Sequence, residues 1–94
     1  MAKASARHIL VPTEKLAKKL RREIEKEEIT FEKAAKKYSK CPSSKSGGSL
    51  GTFSKGEMVK EFDRIVFEQA LHKVHGPIKT EFGFHLIEIL ARYK

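Results

Sequence analysis

The sequence predicts an α+β fold in which helices cover a small, largely antiparallel sheet. Three observations predict it: a short apolar run stopped by a proline near the start, stretches of helical periodicity through the middle, and a strand-turn-strand pattern at the end. At 94 residues and 39% hydrophobic, the chain suits one domain over residues 1–94, with material for a single core and not for two.

The elements follow in order. Arg7–Val11 is apolar, partly β-branched and halted by Pro12, so it reads as a strand. Thr13 is placed to cap a helix in which Leu16, Ala17, Leu20 and Ile24 recur at helical spacing, up to about Glu28. Thr30 is placed to cap a second, with Phe31, Ala34, Ala35 and Tyr38 as its buried stripe. Ser39–Ser49 is rich in Ser and Gly and reads as a loop, with Ser43–Gly48 as a mobile rim. Leu50–Phe53 is a short strand or extended turn. A third helix runs from about Val59 to Gln69, with Phe62, Ile65, Val66 and Gln69 inward. After Gly76-Pro77 come a strand at Ile78–Thr80, a tight turn at Glu81-Phe82-Gly83 and a strand at Phe84–Ala91, which together form a β-hairpin. There are no internal repeats.

Both faces of the last strand are apolar, with Phe84, Leu86 and Leu90 on one and His85, Ile87 and Ile89 on the other; Glu88 is the exception. Such a strand belongs in the middle of the sheet, and so does the first, where His8 and Leu10 share one face and Ile9 and Val11 the other. Each central strand carries a histidine near one end. As neighbours, the two strands would bring His8 and His85 together across the sheet.

The net charge is +8, and 13 basic against 6 acidic residues in positions 1–46 carry nearly all of the excess. Lys15, Lys18, Lys19, Arg21, Arg22, Lys33, Lys36 and Lys37 would offer phosphates at most a weak, nonspecific, salt-dependent contact through this basic N-terminal half. The plainer account is a solvated Lys/Glu helix face, and no aromatic residues interleave with the cations as a single-strand platform requires. One cysteine and four scattered histidines lack zinc-ligand spacing, so neither metal nor cofactor is expected. There is no run of 18 apolar residues, and MAKASARHILV has no apolar signal region. The expectation is a cytoplasmic monomer with no membrane association.

The stretch CPSSKSGGSLGTFSKGEMVKEF sets a thiol before a proline, then a Ser/Gly loop, then Met58 and Phe62 four residues apart. Together with SARHILV and GPIKTEFGFHLIEI, the segment GGSLGTFSKGEMVKEFDRIVF resembles the parvulin family of peptidyl-prolyl cis-trans isomerases in its small stand-alone prokaryotic form. The resemblance covers nearly the whole chain. It implies a half-barrel of four antiparallel strands surrounded by about four helices, and as substrates proline-containing peptides and unfolded or nascent proteins. It further implies that His8, Cys41, Thr80 and His85 form the catalytic set and that Met58, Phe62, Phe82 and Leu50 receive the substrate. Ser49 stands where Asp is frequent in the family, Lys60 where Pro is, and Phe84 where Tyr is.

The chemistry fits those residue types. Rotating an X-Pro amide breaks its C–N resonance against a barrier of about 18–20 kcal/mol, with no bond made or broken. The catalyst therefore needs an apolar socket for the pyrrolidine ring and groups that favour the twisted amide. Met58 and Phe62, one helical turn apart, would form the socket, and Phe82 from the hairpin turn would close it. Outside that context the pair reads as ordinary core. Cys41 is either a nucleophile with the histidines as base or, as rotation needs no leaving group, a polarisable neighbour of the amide. The phosphate-directed members of the family carry an arginine-rich loop after the first strand. Here only Pro12 and Thr13 separate Val11 from Glu14, so apolar residues before proline should be accepted broadly and phosphorylation should bring no gain. The alternative is a basic interaction or nucleic-acid-binding module on the same fold with weak isomerase activity; a holdase without rate acceleration is a third reading.

Overall fold

Thr13 and Thr30 act as the sequence predicts in the computed structural model, which describes residues 2–93. The Thr13 side chain accepts a hydrogen bond from the Leu16 amide at the start of helix α1 (Glu14–Glu25), and that of Thr30 from the Lys33 amide at the start of α2 (Phe31–Tyr38). Helix α1 stops three residues before the expected Glu28. Ile24 is its last apolar contact, the following acids lie at the disfavoured negative end of the helix dipole, and Glu27 takes a left-handed φ of 60°.

The strands are β1 (Lys3–Val11), β2 (Ser49–Ser54), β3 (Val74–Thr80) and β4 (Gly83–Tyr93), with helix α3 (Lys60–Glu68) between β2 and β3. They form one antiparallel sheet in the order β2-β1-β4-β3, so the two doubly apolar strands are central. Strand β1 begins four residues earlier than expected because the buried Ala4 and Ala6 extend it without β-branched residues to signal a strand. Strand β3 begins at Val74 because Gly76-Pro77, read as a break, is absorbed as an irregularity in an edge strand, where a missing N–H costs no ladder bond. Glu88 opposes Arg7 in register and pairs with it, while the Arg7 guanidinium lies 5.1 Å from the Phe31 ring centre.

A sheet buried on both faces divides the apolar interior in two, where a single core was expected. Helices α1 and α2 close one cluster around Ile9, Val11, Leu20, Phe31 and Leu86. Helix α3 closes the other around Ala4, Ala6, Phe53, Phe62, Val66, Ile87 and Ile89. In place of a fourth α-helix, a five-residue 3-10 helix, Pro42–Ser46, organises much of the stretch read as loop; its proline sits at the first turn, where no N–H is needed. Its end is stitched to β1, since the His8 amide donates to the Gly48 carbonyl at 3.0 Å. Gly48 has φ +87°, and a Cβ there would lie 2.4 Å from the His8 carbonyl oxygen. Among the described residues no helix is long and apolar enough to cross a membrane.

Candidate active site

Register brings the two histidines together. Leu10 opposes His85 and His8 opposes Ile87, so His8 and His85 are diagonal neighbours on the α3 face of the central strands. Their Nδ1 atoms lie 3.1 Å apart, with rings inclined by 14°. Thr80, last residue of β3, reaches back across the hairpin and places its hydroxyl 2.7 Å from His85 Nε2, while accepting the Phe82 amide at 3.2 Å. All three side chains are buried.

The chain of bonds can run in either direction, and one direction gives every proton but one a partner. With the Thr80 hydroxyl as donor, His85 Nε2 accepts its proton, the one acceptor for it among the described residues. His85 then carries its proton on Nδ1 and donates to His8 Nδ1, and His8 carries its own on Nε2, a buried atom without a partner. A second proton on His8 would have to enter at Nδ1 against the His85 N–H. Burial first, and the His85 imidazole second, lower the His8 pKa from 6.5 to about 4. Burial also lowers that of His85, opposed by the Glu61 carboxylate. The pair is neutral near pH 7.

In front of it lies a cavity of about 370 Å³. Seven of the eight residues singled out in the sequence line it: His8, Cys41, Leu50, Met58, Phe62, Phe82 and His85. The eighth, Thr80, stands behind His85. Phe62 is the floor, 3% exposed, with its ring roughly perpendicular to both imidazoles. Met58 is not one helical turn from Phe62 as expected. Val59 is extended, with ψ 151°, and caps the helix without a side-chain bond, so Met58 precedes α3 and meets Phe62 from the incoming strand of chain. Phe82 does not close the socket either. At the tip of a two-residue turn it is 65% exposed, a rim to the cavity and not a lid. Cys41 caps the 3-10 helix and is half-buried, and its thiol makes no hydrogen bond to either histidine among the described residues.

Leu10, Lys40, Pro42 and Val59 also line the cavity and were not singled out. Leu10 was readable in principle, as it shares the His8 face of β1. Lys40 was not, because its place depends on how the chain after α2 folds back on β1: Lys40 donates its amide to the Leu10 carbonyl at 2.8 Å, and Leu10 donates its own to Ser39 Oγ at 3.0 Å.

A family model described as Rotamase: PPIC-type PPIASE domain matches residues 4–91. The foldase protein PrsA of Geobacillus kaustophilus is 43% identical over 93 residues, 98% of this chain and 33% of that protein. The crystal structure of PrsA from Bacillus subtilis superposes with a TM-score of 0.88 at 37% identity, covering 95% of this chain and 35% of that one. The solution structure of NmPin, the parvuline of Nitrosopumilus maritimus, superposes at 0.85 and 37%, covering 97% and 98%. The chain spans about a third of the length of the curated foldases it matches.

Proposed function

We propose, for a chain that belongs to the PPIC-type rotamase family of peptidyl-prolyl cis-trans isomerases, the parvulins, that it accelerates rotation about X-Pro bonds in peptides and unfolded proteins without covalent chemistry. One observation carries the reading: an apolar cavity of pyrrolidine-accepting character set against a buried, neutral, hydrogen-bonded histidine pair.

The planar amide is the more dipolar form, because its resonance separates charge between oxygen and nitrogen. Moving it from water into a wall of Leu10, Leu50, Met58 and Phe62 weakens that form relative to the twisted one, which is the differential binding a rotamase needs. His8, His85 and Thr80 hold the back wall in one tautomeric arrangement and keep it uncharged. In that arrangement the basic nitrogens are occupied, His8 Nδ1 by His85 and His85 Nε2 by Thr80, so neither is free to take a proton from Cys41. This supports Cys41 as a polarisable neighbour of the amide over Cys41 as a nucleophile. Between β1 and α1 lie only Pro12 and Thr13, which supports a site without a bidentate phosphate clamp.

A cytoplasmic location is proposed from the sequence alone, and edge strand β3, blunted by Pro77 and Lys79, supports a monomer. Cell fractionation and sedimentation test these two points. A protease-coupled isomerisation assay with a Leu-Pro peptide, run in chelator, tests the activity. The expected result is acceleration over the uncatalysed rate, each tenfold corresponding to about 1.36 kcal/mol of barrier. An unchanged rate would leave a basic interaction module or a holdase.

A further inference from the structure

Lys40 is the one residue with a permanent charge among those lining the cavity. Its backbone is fixed there by its amide bond to Leu10, while its side chain is exposed and forms no ion pair among the described residues. The helix cations differ: Lys18, Arg21 and Lys36 each pair with a glutamate four residues away. At the edge of an apolar wall the unpaired ammonium is screened less than one fully surrounded by water, and it attracts an anion against the opposing field of the Glu61 carboxylate, which reaches His85.

We infer that Lys40 makes the site select prolines flanked directly by an acidic residue. This deepens the isomerase reading and rests on it. The cation comes from the segment after α2 and not from the β1–α1 connection, and a single ammonium on a flexible stem suits a carboxylate without clamping a phosphate bidentately.

The experiment compares matched tetrapeptides by kcat/KM: Glu-Pro against Gln-Pro, and Pro-Glu against Pro-Gln. At low salt at least one glutamate peptide should exceed its glutamine twin by about two- to fivefold, the range of a partly exposed ion pair. That ratio should fall as salt shortens the screening length. It should persist in Lys40→Arg, approach one in Lys40→Met and drop below one in Lys40→Glu. Because each ratio is internal to one variant, a general loss of activity does not disturb it. Ratios of one in both pairs for the native chain, or an acidic preference that survives in Lys40→Met, overturn the inference. No acceleration of any of the four peptides by the native chain would instead overturn the isomerase reading itself.

Discussion

The buried proton arrangement of His8 makes stability depend on pH. Unfolded, the imidazole titrates near 6.5; folded, it resists protonation until about pH 4. Between those values the unfolded chain binds the extra proton and the folded chain does not, so stability is full above pH 6.5 and is lost as pH falls toward 4. The gap corresponds to a loss on the order of 3 kcal/mol. Chemical denaturation across that range should show it, and His8→Leu, though less stable at neutral pH, should show a shallower slope; equal slopes would assign the loss to other groups. Cys41 gives a second prediction. Cys41→Ser and Cys41→Asp should keep activity within about tenfold of the native chain, or about 1.4 kcal/mol of barrier, whereas near-total loss, or a thiol-linked peptide adduct seen by mass spectrometry, would make it a nucleophile. That the histidines could meet was legible from strand alternation on the condition that the two doubly apolar strands are neighbours, which the sheet order meets. That Thr80 would bond to His85 was not, since it depends on a hydroxyl reaching to 2.7 Å across a turn.

At the scale of elements, the lead into α3 and the 3-10 helix decide the shape of the cavity, and they separate packing from substrate contact. Phe62 is both floor and core, touching Phe53 and both imidazoles, so Phe62→Ala should cost about 3–5 kcal/mol of stability along with activity. Met58 is half-buried ahead of the helix, and Met58→Ala should lower kcat/KM severalfold while moving the melting temperature little. A large shared loss of stability in both variants would make Met58 core after all. Gly48→Ala should cost roughly 1–3 kcal/mol, since a left-handed φ and the His8 carbonyl both oppose a Cβ; thermal unfolding reads it directly. The periodicity of α1 and α2 was legible because their buried stripes fall on threonine-capped helices. The 3-10 helix was hidden because its five residues, PSSKS, carry no period and include no buried apolar residue, and β3 was shortened because proline in an edge strand looks the same in sequence as proline in a break.

For the whole molecule, the two-sided burial of β1 and β4 was visible in their apolar faces, yet it argued against the single core that length suggested: a sheet covered on both sides necessarily splits its interior. The charge excess was equally visible, while its pairing required coordinates. Of the eight helix cations in the basic half, Lys18, Arg21 and Lys36 are engaged with glutamates, which leaves Lys15, Lys19 and Arg22 at i, i+4 and i+7 as a stripe along α1, with Lys33 and Lys37 on α2. Exposed pairs of this kind add little stability, but each reduces the positive field that a polyanion would meet. A stripe of three cations releases about three counterions, so duplex DNA binding should have a log–log salt slope of about −3 and weaken about fiftyfold between about 50 mM and 200 mM salt. The contacts reach phosphates without a groove-reading element, so unrelated duplexes should bind alike. Fluorescence anisotropy on two duplexes of different sequence over a salt series measures both quantities. Binding that distinguishes the two duplexes, or that persists at high salt, would require contacts beyond these helices and make nucleic acid a primary partner; no binding at low salt would show that the glutamate pairs suffice to cancel the field.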